Sequence, residues 1–134
     1  MRTLELLAPA RNIEIGIAAI DCGADAVYIA GPAFGARQAA GNSIEDISGL
    51  CDYAHKFGAR IFLTLNTILY DEELREAEDL MQKAEQAGVD AIIVQDLAIM
   101  KMADGGTDGK TLGIPLHAST QCAIRDVDKA MFYR

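Results

Sequence analysis

Three glycines standing 35 and 30 residues apart, each followed by a short apolar run, constrain this chain more than any other feature. They open the segments Gly23-Ala24-Asp25-Ala26-Val27-Tyr28-Ile29, Gly58-Ala59-Arg60-Ile61-Phe62-Leu63 and Gly88-Val89-Asp90-Ala91-Ile92-Ile93-Val94. A spacing near 30 residues matches one strand-plus-helix unit. The glycine is suited to the left-handed position that ends a helix, where a Cβ would be strained. The runs that follow are continuously apolar rather than alternating, as in strands of a parallel sheet covered on both faces.

The intervening segments carry helix signals. Asn12 stands where it can cap a helix with Ile13, Ile17 and Ile20 on one stripe. Ser43-Ile44-Glu45-Asp46 resembles a capping box, and Ile44, Ile47, Leu50, Cys51 and Ala54 then share a face. Asp71-Glu72-Glu73 places negative charge at a helix start, ahead of Leu74, Ala77, Met81, Ala84 and Ala87 at helical spacing. Asp96 caps a shorter helix through Met102, and Gly105–Gly109 reads as a surface loop. Strands are expected at 4–7, 26–30, 60–65, 91–94 and 115–118.

This order predicts an α/β fold, a partial TIM-type (β/α) barrel of about five parallel strands with alternating helices. A complete eight-unit barrel needs about 250 residues. The 134 residues are therefore expected to form a single domain (1–134), the N-terminal half of a barrel truncated at its C-terminus. A doubly wound open sheet is the runner-up. It would carry a glycine-rich turn after the first strand, where this chain has Ala8-Pro9-Ala10-Arg11.

Composition narrows the functional classes. The chain is 51% hydrophobic and 24% charged, ordinary for a soluble protein. No apolar stretch approaches the roughly 20 residues of a membrane span, and the N-terminus has no signal-peptide pattern. A cytoplasmic location without membrane contact is expected. The net charge of −8 makes this segment a poor ligand for phosphate backbones by itself. RNA contact is accordingly expected only of a longer, full-length protein. Cys22, Cys51 and Cys122 show no C-x-x-C spacing, so no metal site is assigned and the cofactor stays unknown. Cys22 and Cys51 are expected to be buried, inert thiols on helices.

In a β/α barrel, chemistry gathers at the C-terminal ends of the strands. This chain places Asn66, Gln95, His117, Ser119, Thr120 and Gln121 there. Polar groups converging on one rim suit a pocket for a peptide or small polar substrate. Asn66, Gln95, Ser119 and Gln121 are the candidate binding residues. Arg37, in a glycine-flanked loop, is either a carboxylate or phosphate clamp or a solvated arginine. His117 is open as a base, a metal ligand or a hydrogen-bond donor. Glu5, a charge inside the first expected strand, should either pair with a cation or line the interior. Glu5 and His117 are the candidate catalytic pair. His55 reads as a helix-surface or packing residue. No G-x-S-x-G, H-E-x-x-H or P-loop motif is present.

An ordered set of short motifs resembles the peptidase U-32 family, the collagenase-like proteases. The set is Glu5-Leu6-Leu7-Ala8-Pro9-Ala10, Gly23-Ala24-Asp25-Ala26-Val27-Tyr28, Tyr53-Ala54-His55, Asn66-Thr67, Gly88 to Asp96 and His117-Ala118-Ser119-Thr120-Gln121. Arg11 stands where that family commonly has Gly. The resemblance implies an N-terminal TIM-like barrel and a peptidase-type hydrolase of unassigned mechanism. It also implies an alternative: hydroxylation of tRNA, ribosomal RNA or a quinone precursor, with an iron–sulfur cluster held by cysteines further downstream. A third reading is an inactive fragment that oligomerises, two copies pairing their open sheet edges as a homodimer.

Overall fold

The computed structural model describes residues 4–36, 41–105 and 111–134. Its elements alternate: β1 (Leu7–Ala10), α1 (Ile13–Asp21), β2 (Ala26–Ala30), α2 (Ile44–Lys56), β3 (Arg60–Leu65), α3 (Leu74–Gln86), β4 (Ala91–Val94), α4 (Leu97–Ala103), β5 (Leu116–Ala118) and α5 (Val127–Phe132). The strands form one parallel sheet in the order β1-β2-β3-β4-β5. This sequential order belongs to a (β/α) barrel-type α/β fold. A doubly wound sheet would reverse direction at a switch point.

Local chemistry explains the boundaries. Asn12 accepts the Ile15 N–H at 3.0 Å, and Ser43 with Asp46 closes a full capping box. Gly23, Gly58 and Gly88 take φ of +96°, +71° and +85°, the left-handed conformation expected of helix-ending glycines. The acidic run Asp71–Glu73 is a 3₁₀ turn, with α3 beginning at Leu74.

The first strand differs from expectation. It spans Leu7–Ala10, not 4–7. Pro9 has no N–H to give a ladder but is accommodated because β1 is an edge strand. Leu6 is held one step before the ladder: its N–H donates to Asp25 Oδ2 at 2.7 Å, and its carbonyl accepts the N–H groups of Asp25 and Ala26. Glu5 therefore precedes the strand, is exposed, and pairs with Arg60 at the N-terminal end of the sheet.

The two faces of the sheet differ in kind. Val27, Ile29, Ile61, Leu63, Leu65, Ile92 and Val94 face the helices, all at 1% exposure or less. They pack with Ile47, Leu50, Cys51, Ala77, Met81, Ala84 and Ile99 in one core. Gly16 lets α1 lie close on α2, since a Cβ there would stand 2.8 Å from Leu50 Cδ2. The opposite face carries a small cluster, Ala26, Phe62 and Ala91, with Tyr28 and Ile93 packed on it. Side chains alternate between faces along a strand, so a continuously apolar run fills both layers at once. Cys51 is buried as expected, but Cys22 is exposed, because it follows the last turn of α1 as its C-cap.

Candidate functional site

On that opposite face a groove of about 970 Å³ touches residues of all five strands: Leu7, Pro9, Tyr28, Ala30, Phe62, Thr64, Ile93 and His117. One hollow reaching every strand makes this face concave. The groove continues to the C-terminal ends of the strands through Arg11, Ala36, Asn66, Ser119, Thr120 and Gln121. A second hollow of about 610 Å³ lies outside the sheet between α2 and α3 and includes no strand residue. The strand-end position makes the first groove the candidate site.

The rim is tied together by Asn66. Its Oδ1 accepts the Ala36 N–H at 3.0 Å, and its Nδ2 donates to Ser119 Oγ at 3.4 Å. One amide thus joins the loop after β2 to the turn after β5. The loop after β2 is further held at Phe34, whose carbonyl accepts the Asn66 N–H at 2.9 Å and the Thr67 hydroxyl at 3.3 Å. Phe34 takes φ of +60° and Ala123 takes +49°, the two non-glycine residues in the left-handed region among the described residues. Both follow strand ends, where strain tends to accompany function. Gly35 fits beneath this loop because a Cβ there would lie 2.9 Å from Ala30 Cβ. Asn42, almost fully buried, donates to the carbonyls of Arg11 and Ala30 and fixes the β1 and β2 ends together.

The candidate residues sort clearly. The structure brings together His117, Asn66, Ser119 and Gln121 on one groove. Gln95 is half-buried and does not line it; its carbonyl accepts from Cys122 Sγ at 3.8 Å. Arg37 lies outside the described residues. Glu5 is on the far end of the sheet, so it does not meet His117 at the rim. Asp96 caps α4 through the Ala98 N–H at 2.8 Å and also accepts the Leu69 N–H at 2.9 Å. His55, exposed on α2, meets Asp90 Oδ2 at 3.0 Å, a packing role. Arg11, which the sequence also places at a strand end, lines the groove with Tyr28 and Phe62, which carry no rim-polarity signal. Tyr28 and Phe62 alternate with Val27, Ile61 and Leu63, and that phase was the available signal.

Nucleophile pairing is absent among the described residues of the groove. Ser119 Oγ accepts from Asn66 and from the Gln121 N–H at 3.2 Å, and His117 is not its partner. Cys122 is buried, with Sγ directed at the Val94 carbonyl at 3.6 Å. Beside it, burial and then the neighbouring Cys122 push the Tyr133 phenol up from its ordinary value. No group of three or more His, Cys, Asp or Glu side chains converges as metal ligands among the described residues. The described residues therefore do not fit an iron–sulfur cluster. No helix of the described residues is long and apolar enough to cross a membrane.

Residues 11–134 match the model of peptidase family U32. The chain belongs to that family. It is 54% identical over 129 residues to the 23S rRNA 5-hydroxycytidine C2501 synthase of Escherichia coli, a match covering 96% of this chain and 19% of that protein. It is 34% identical over 131 residues to the tRNA hydroxylation protein P1 of Bacillus subtilis, covering 97% of this chain and 30% of the relative. A collagenase of Porphyromonas gingivalis is also 34% identical over 131 residues, at 96% and 30% coverage. The chain thus spans 19% to 30% of the length of these relatives. A solved U32 peptidase superposes with a TM-score of 0.68 at 11% identity, covering 97% of this chain and 55% of that one, which supports the fold.

Proposed function

We propose that this chain forms the substrate-facing part of an RNA nucleobase hydroxylase. The observation that carries the reading is the groove's chemistry. The protein's net charge is −8, yet among the described residues no carboxylate lines the groove, which instead holds Arg11, Tyr28, Phe62 and His117. Neutral amides and hydroxyls, aromatic rings and one guanidinium suit a planar base beside a phosphate. An enzyme acting on a base must take it from its stack into such a pocket. The 54% identical relative, named for 5-hydroxycytidine synthesis, agrees with this more closely than the 34% identical collagenase does. A peptidase would need an activated nucleophile, and Ser119 and Cys122 are engaged elsewhere. The groove residues are assigned binding and orientation of the base; the oxidant and any cofactor would come from elsewhere in a larger protein.

A segment exchange tests this. The 134 residues replace the matched segment of the Escherichia coli relative in a strain lacking that gene, and 23S rRNA is assayed for 5-hydroxycytidine by mass spectrometry. Restored modification is expected. A soluble chimera that leaves cytidine unmodified, or that instead cleaves collagen, overturns the reading.

Oligomeric state belongs to the same proposal. β1 and β5 are sheet edges, and Val127, Met131 and Phe132 of α5 are at least 57% exposed. We infer that two copies of the isolated chain pair through these surfaces. A dimeric mass by light scattering at micromolar concentration is expected, and a monomeric mass refutes it.

A further inference from the structure

The geometry points to His117 as a stacking platform for a nucleobase, with Arg11 contacting the adjoining phosphate, rather than as a general base. This rests on the nucleobase reading above and assigns its binding residues. Three observations carry it. The His117 ring lies edge-to-face with Phe62, centroids 4.9 Å apart and planes at 77°. Phe62 is only 2% exposed, and Arg60 lies 5.6 Å from its ring centroid, so it is backing and not a free surface. On the strand between, β4 sets Ala91 beside Phe62 and Ile93 beside His117, so the two rings meet diagonally across it. His117 itself is exposed and lines the groove.

A histidine used as a general base commonly has its second nitrogen fixed by a carboxylate or carbonyl. Among the described residues, the His117 nitrogens have no such partner. The ring is positioned by aromatic packing, which fixes its plane without selecting a tautomer. Fixed rings that stack with any base are the means by which proteins hold unpaired nucleotides. Arg11, exposed at the same groove, supplies the cation that a flanking phosphate needs.

The experiment titrates the 134-residue chain with cytidine 5′-monophosphate and with cytidine, by calorimetry. His117→Ala is expected to weaken both ligands about tenfold, the scale of one base–aromatic stack. His117→Phe is expected to stay within about twofold of the parent, because a phenyl ring stacks but cannot accept a proton. Arg11→Ala should weaken the monophosphate and leave cytidine unchanged. Circular dichroism checks that each variant is folded. Unchanged binding by folded His117→Ala, or His117→Phe binding as poorly as His117→Ala, overturns the platform. So does a segment-exchange chimera in which His117→Phe binds the nucleotide but loses all 5-hydroxycytidine formation. Should the parent chimera be inactive while these affinities behave as stated, the hydroxylase reading fails and the platform stands.

Discussion

The two ends of the sheet use polar residues in opposite ways. At the N-terminal end, charge pins strand to strand. Asp25, just before β2, accepts the Leu6 N–H just before β1, and Asp90, just before β4, accepts the Ile61 N–H of β3, both at 2.7 Å. In the middle unit the equivalent position is Arg60, which pairs with Glu5. The G-x-D repeat is thus a clamp reaching back one strand. At the C-terminal end no carboxylate among the described residues lines the groove, and its polar residues are mostly neutral. Two backbone positions there are strained. One end is pinned by charged side chains, and the other by the neutral amides of Asn42 and Asn66, which leave a groove between the strand ends. A barrel separates stability from chemistry in this way.

Substitutions at the clamped end should therefore change stability and leave the groove's nucleotide affinity alone. Asp90→Ala is expected to have the largest effect. It strips the Ile61 N–H of a charged acceptor and removes the His55 contact, about 2–3 kcal/mol by urea unfolding. Asp25→Ala removes one bond in a more exposed setting, about 1–2 kcal/mol. Glu5→Gln, which breaks an exposed ion pair, should cost no more than about 1 kcal/mol. If Asp90→Ala instead abolished nucleotide binding with stability unchanged, the division between the two ends would be wrong.

The ends also differed in how legible they were. Strands β2, β3 and β4 span the expected 26–30, 60–65 and 91–94, because a run apolar at successive positions is buried by covering both faces of a sheet. The glycine positions and the caps at Asn12, Ser43 and Asp96 follow from local backbone chemistry, so they were readable too. The first strand was misplaced because Leu4-Glu5-Leu6-Leu7 is as apolar as a strand, and the deciding partner, Asp25, lies 19 residues away. The groove was half legible. Rim polarity picked out Asn66, His117, Ser119 and Gln121, yet Tyr28 and Phe62 read as core until the sheet's two faces were distinguished. Gln95 stood at a strand end like the others, and nothing in its neighbours signalled that it would miss the groove.

Cysteines give the sharpest check on burial. Burial, then the charges of Asp90 and Asp52, raise the Cys51 thiol from 9.0 to about 12. The folded state therefore holds its proton where the unfolded chain has lost it. The associated stability is fully present below pH 9.0 and is lost as pH rises from there toward about 12. In a thiol-labelling experiment at pH 8, exposed Cys22 should react at once, while Cys51 should react only as the chain opens. Asp90→Ala should speed Cys51 labelling in proportion to its loss of stability, since opening then becomes more frequent. Rapid labelling of Cys51 in the folded parent would show that the layer between α2 and the sheet is looser than its packing indicates.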